Sequence, residues 1–168
     1  TADAGGPVLD LDAATGAISL AGSDQGTYTV TNTVSGCGNL VISGVADGPI
    51  TGGVPKAVEF TAVEDIPDLS NYGWGSANNG TGTDGEEFTF PAIALAAGER
   101  VWVSSEAAVF EAFFGFPPSY TSNAALINGD DAIELFCNGQ VIDLFGDINV
   151  DGTGEAWEYL DSWAYRNN

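Results

Sequence analysis

Six oxygen-bearing side chains crowd a twelve-residue window near the C-terminus: Asp147, Asn149 and Asp151 alternate, Gly152 comes next, and Thr153, Glu155 and Glu158 follow. With Asp147 as the first position the pattern is D-x-N-x-D-G with Glu at the twelfth, the spacing of an EF-hand calcium loop. Calcium takes about six to eight oxygens, so alternating short side chains must turn inward while the backbone curls around the ion. Gly152 is expected where that curl needs a positive φ. Thr153 would offer its carbonyl, Glu155 a carboxylate or a bridging water, and Glu158 both carboxylate oxygens. The surroundings depart from an EF-hand, because a strand and Gly146 precede the loop and Gly154 takes the place of an apolar residue. A polar turn loop with solvated acids is the competing reading, since DG and GTG are turn signals by themselves.

Other chemistry has few residues to draw on. The chain has no His, which removes Ser-His and Cys-His nucleophile systems and any His-bearing metal site. The carboxylate pairs Glu86/Glu87 and Asp130/Asp131 could in principle serve glycoside hydrolysis. Neighbours on a strand face opposite ways, however, so neither pair converges on its own. The expectation is therefore no enzyme. A sugar site is a different matter, because amides and aromatic faces are what it uses. Asn78, Asn79 and Asp84 in the loop at 76–85, with Trp163 and its neighbourhood around Trp157, are the candidate glycan contacts. Against this, Asn and Gly make turns and Trp fills sandwich cores.

Composition narrows the partners. Asp and Glu number 24 against three cations, Lys56, Arg100 and Arg166, for a formal charge of −21. Three scattered cations cannot neutralise a phosphate backbone, so nucleic acid is excluded as a partner. Anionic lipid is excluded on the same ground, and no apolar run approaches membrane-spanning length, so no membrane insertion is expected. Self-repulsion on this scale suits a saline or calcium-rich exterior. No initiator Met and no signal-type apolar segment are present, which leads us to expect a mature or excised piece of a secreted protein, extracellular or at the cell surface. Cys37 and Cys137 both lie beside turn glycines, in SGCGN and FCNGQ, and a disulfide is favoured over two buried thiols.

The elements that must position these residues read as short strands joined by turns, an all-β composition with 23 Gly and 7 Pro. Strands are expected at 17–21 and 27–34, where Tyr28, Val30 and Val34 alternate with threonines, then at 39–45, 57–63, 87–90 and 100–104. Residues 66–75 read as a tight corner with Leu69, Tyr72 and Trp74 inward. One helix is expected at 106–114, capped by Ser104 or Ser105 and ended by Gly115. Its apolar stripe is Val109, Phe110, Phe113 and Phe114. Strands at 132–137 and 141–145 flank Asn138-Gly139, a strong hairpin signal.

From residue 39 to 166 the chain resembles the bacterial, secreted form of the lamin tail domain-like family. The likeness rests on PKAVEF (55–60), DLSNYGWGSANNG (68–80), EFTFP (87–91), NGDDAIELF (128–136) and VIDLFGDINVDGTGEAW (141–157). The resemblance implies an immunoglobulin-like β-sandwich beside extracellular nucleases, phosphatases or cell-surface repeats, with no catalytic residues to carry over. Residues 1–38 fall outside it, and ISLAGSDQGTYTVTNTV (18–34) resembles the closing hairpin of immunoglobulin-like surface-protein repeats. The expected organisation is thus an N-terminal hairpin (1–38) and a sandwich (39–168). A lone hairpin is marginal in water, so it must pack on its own sandwich or add as a strand to a neighbour. Two functions follow as expectations. One is a non-catalytic building block of a surface adhesin or filament, partnered by neighbouring copies or adjacent surface-protein domains. The other is a glycan-binding accessory module of a secreted enzyme.

Overall fold

The computed structural model describes residues 36–167, with Leu9, Asp10, Ser19, Gly22 and Asp24 before them. The chain divides into two compact units, Thr1–Val34 and Ser35–Asn168. In the first, the Ser19 N–H donates to the Asp10 carbonyl at 3.0 Å and the Gly22 N–H to the Ser19 hydroxyl at 3.3 Å. The expected hairpin at 17–34 lies outside the described residues.

The second unit is an all-β sandwich with one short α-helix. Its strands are β1 (Leu40–Ile50), β2 (Val54–Ala62), β3 (Tyr72–Ala77), β4 (Phe88–Thr89), β5 (Arg100–Ser104), β6 (Tyr120–Thr121), β7 (Ala132–Cys137), β8 (Gln140–Phe145) and β9 (Ser162–Tyr165), with α1 (Ala107–Phe114) between β5 and β6. One sheet runs β6-β5-β2-β1-β9 and the other β4-β3-β7-β8. All pairs are antiparallel except β5 with β6.

Period-two alternation decides what each strand buries. Val58, Phe60 and Ala62 of β2 point between the sheets with Leu40 and Ile42, and meet Trp74, Ile133 and Leu135 of the opposite sheet in one core. Phe60 lies 5.7 Å from the Trp74 ring and 5.3 Å from Phe90, centroid to centroid. The β7–β8 hairpin turns through Asn138 (φ 49°) and Gly139 (φ 75°), the paired left-handed residues that a two-residue turn requires. A Cys37–Cys137 disulfide, with Cα atoms 5.6 Å apart, ties the segment before β1 to the end of β7. Closing a loop of 100 residues contributes up to about 4–5 kcal/mol in the chain-entropy model.

Several elements differ from expectation for identifiable reasons. Strand β1 continues past Val45 to Ile50, carrying Asp47 inside, because Asp47 is the cross-strand partner of Lys56. The segment at 72–77 is a strand, not a corner. Its glycines, 73 and 75, keep the outer side of the sheet open for the Glu86 carboxylate and the Gly85 carbonyl, into which a Cβ would collide. The helix starts one residue later than expected. Glu106 is its N-cap without a side-chain cap bond, and its carboxylate accepts from the Lys56 N–H at 3.1 Å. Of its apolar stripe only Phe110 is fully buried; Phe110 and Phe114 stack near Trp102 on the outer face of the five-stranded sheet. Strand β9 has no counterpart in the sequence reading.

Candidate functional site

Asp147 Oδ1 accepts from the Asn149 N–H at 2.9 Å, and Asp151 Oδ1 accepts from the Thr153 N–H at 2.9 Å. The Thr153 backbone and hydroxyl lower the Asp151 pKa from its ordinary value. Glu158 Oε2 accepts from the Gly154 N–H at 3.0 Å, and the Thr153 hydroxyl donates to Asp130 Oδ2 at 3.1 Å. Asn149 and Glu155 stay exposed. Among the described residues no three His, Cys, Asp or Glu side chains gather as a metal cluster.

Gly152 corrects the reading of its own role. The positive φ values of the loop belong to Gly146 (79°) and Gly154 (80°), not to Gly152. Gly152 is needed for a different reason: a Cβ there would stand 2.5 Å from the Trp157 ring and 2.7 Å from the Asp130 carbonyl. Trp157 is thus a packing residue, half-buried and 6.1 Å from Phe145 edge-to-face.

The candidate glycan contacts divide between sheets. The Asn78 amide donates to Asp84 Oδ2 at 2.7 Å, and the Asn79 N–H donates to Asp131 Oδ1 at 3.2 Å, all around the loop after β3. Trp163 lies on β9, in the other sheet. The carboxylate pairs do not converge either. Glu86 takes the Thr89 hydroxyl, while Glu87 takes the Ser76 N–H and hydroxyl. Asp131 is wholly buried, which raises its pKa, and its two oxygens are occupied by the N–H groups of Asn79 and Asn128. Lys56 reaches Asp47 and the Ile127 carbonyl, each at 2.5 Å, inside the sandwich. The neighbouring Tyr159 hydroxyl donates to the Asp131 carbonyl, and burial, then the charges of Asp131, Asp47 and Asp130, push its pKa up.

A site assembled from distant residues occupies the outer face of the five-stranded sheet. Cross-strand partners there are Gly44 with Glu59 and Gly44 with Tyr165. A Cβ at Gly44 would meet the Tyr165 ring at 3.3 Å and Glu59 Cβ at 3.4 Å, so the bare glycine lets the ring lie against the sheet. Tyr165 is nevertheless 55% exposed. Beside it opens a groove of about 480 Å³, lined in part by Ser43, Glu59, Thr61, Arg100, Tyr165 and Arg166.

The groove floor is a hydrogen-bonded chain. The Thr61 hydroxyl donates to Ser43 Oγ at 2.7 Å, and the Ser43 hydroxyl donates to Glu59 Oε1 at 2.7 Å. Glu59 is only 3% exposed, although its place in the β2 alternation makes it an outward residue. Arg100 Nη1 stands 3.7 Å from Glu59 Oε2, too far for a hydrogen bond. Arg166 is held firmly: Nε donates to the Ile42 carbonyl at 2.8 Å and Nη2 to both Asp143 oxygens at 2.7 and 2.6 Å. Trp163, two positions before Tyr165 and hence on the same side of β9, is 50% exposed.

Of these residues the sequence reading selected only Trp163. The available signal was the W-A-Y alternation at 163–165, which puts two aromatics on one face of a strand. Comparison with family models finds no match for this chain, and no curated protein matches it.

Proposed function

We propose that this chain is a non-catalytic, extracellular β-sandwich module of the lamin tail domain-like type, and that it holds a glycan on the outer face of its five-stranded sheet. The observation that carries the reading is the exposed Tyr165 ring, set against Gly44 next to a floor of hydroxyl and carboxylate groups. An aromatic face offers a sugar its C–H surface while the floor pairs with its hydroxyls. Glu59 is the one carboxylate in the groove lining among the described residues, and glycoside hydrolysis asks for two, so the groove holds sugar without cutting it. A disulfide fits an oxidising exterior, and among the described residues no helix is long and apolar enough to cross a membrane. Affinity electrophoresis and glycan arrays test the proposal. Retention by at least one polysaccharide is expected, lost in Tyr165→Ala, and the absence of retention on every glycan rejects it.

A second reading is a building block of a surface adhesin or filament. The outer strand β8 supports it, since Val141 and Leu144 are exposed on a strand that, among the described residues, ends its sheet and that a neighbouring copy could extend. Imaging for fibres, with sizing of the purified protein at high concentration, decides between the two.

A further inference from the structure

The chain has three cations against 24 acids, so where it keeps them is informative. Lys56 is inside the sandwich, its side chain 12% exposed and paired with Asp47. The two solvent-facing cations, Arg100 and Arg166, with side chains 63% and 43% exposed, line the same groove. Both solvent-facing arginines therefore share a groove with Tyr165.

The two arginines are not equivalent. Arg166 is oriented by Ile42 and by both oxygens of Asp143, which fixes one wall. Among the described residues the Arg100 guanidinium makes no hydrogen bond, and its nearest carboxylate is Glu59 at 3.7 Å. A guanidinium with its planar fork unused, at the mouth of a groove, fits a carboxylate with two parallel N–H bonds. Among the described residues Glu59 Oε2 accepts no hydrogen bond, so it remains an acceptor for ligand hydroxyls.

We infer that the groove takes a carboxylated sugar residue, a uronate within a polysaccharide, with its carboxylate on Arg100, its hydroxyls on Glu59 and Ser43, and its ring on Tyr165. The inference rests on the glycan reading of the groove and adds the class of sugar. One negative charge per sugar matches one available guanidinium, whereas a phosphate chain would need more cations than the surface has. Repulsion from the −21 protein acts over roughly a Debye length, about 10 Å at 0.1 M salt, and leaves the contact pair intact.

Titration calorimetry with polygalacturonate and alginate fragments, against laminarin, galactomannan and sulfated galactan fragments, tests this in chelator-containing buffer so that calcium bridging plays no part. Uronate fragments should bind at least about tenfold more tightly than neutral ones, and Arg100→Gln should bring that ratio close to one. Arg100→Lys should recover only part of it, because a point charge replaces a fork. Arg100 is exposed, so an unchanged melting curve certifies the fold of both variants. Equal binding of neutral and uronate fragments, a ratio untouched by Arg100→Gln, or a preference for sulfated galactan overturns the uronate assignment and leaves the glycan reading standing. Failure to bind any fragment, or full binding by Tyr165→Ala, overturns the glycan reading and the inference with it.

Discussion

The acidic loop at 147–158 and the groove beside Tyr165 use similar side chains in opposite ways. In the loop, Asp147, Asp151 and Glu158 each accept from a backbone N–H within four residues, so the cluster first of all shapes its own turns. In the groove, Glu59 and Ser43 are 16 residues apart, Ser43 and Thr61 are 18 apart, and the Tyr165 ring arrives from the far end of the chain. Local spacing finds patterns that satisfy themselves. A site whose polar atoms remain open to a ligand has to be assembled by strand pairing, and its spacing in sequence is arbitrary.

Two substitutions should separate these regions cleanly. Tyr165→Ala removes the exposed stacking face and is expected to abolish glycan retention on affinity gels. Its effect on the melting temperature should be slight, since more than half the residue is already in solvent. Gly152→Ala is the mirror case. The added methyl meets the Trp157 ring and the Asp130 carbonyl, and overpacking of this kind costs about 1–3 kcal/mol. Denaturant titration should show that loss while glycan binding is retained. Gly154→Ala, which has open space but a φ of 80°, should cost about 1 kcal/mol for backbone strain alone. If Gly152→Ala is the milder of the two, the packing role given to Gly152 is wrong.

What the sequence disclosed follows the same division. Val58, Phe60 and Ala62, strands β5 and β7 and the Asn138-Gly139 hairpin were legible because alternation and turn chemistry are local. The Cys37–Cys137 bridge was legible from its turn glycines and the scarcity of alternatives. The burial of Glu59 was not legible, because alternation says which face a residue takes, not what later covers that face. Gly73 and Gly75 suggested a corner because glycine signals a turn and a close approach alike. Strand β9 was missed since its register depends on β1, more than a hundred residues earlier.

Acid titration sharpens the contrast between buried and exposed carboxylates. Burial raises the Asp131 pKa above its ordinary 3.8, so its stabilising contribution is full below that value and is lost as pH rises through the folded-state pKa. Asp151 is lowered by Thr153, so its contribution is present above 3.8 and is lost as pH falls. Melting curves between about pH 3 and 7 should therefore show Asp131→Asn gaining on the wild type as pH rises, and Asp151→Ala converging with it at the acid end. A constant difference across that range would remove Asp131 as a titrating contributor.

The smallest effect expected is that of calcium on the loop itself. Asp147 and Asp151 each engage an oxygen with their own turn and both are exposed, with Asn149 and Glu155 exposed beside them. An ion could recruit these exposed side chains without dismantling the turns, and it would relieve repulsion in a chain of charge −21. Extracellular calcium modules bind with dissociation constants of about 10⁻⁴ to 10⁻³ M, so millimolar calcium would stabilise by only about 0.4–1.4 kcal/mol. For a chain of this size that is a rise of roughly 1–5 °C in melting temperature. Scanning calorimetry in metal-stripped buffer, with and without calcium, should show the rise in wild type and its loss in Asp151→Ala. Magnesium at the same concentration separates site binding from charge screening, because screening would raise both proteins equally with either ion. Superimposable curves with calcium and with chelator would mean that the twelve-residue pattern is turn chemistry and nothing more.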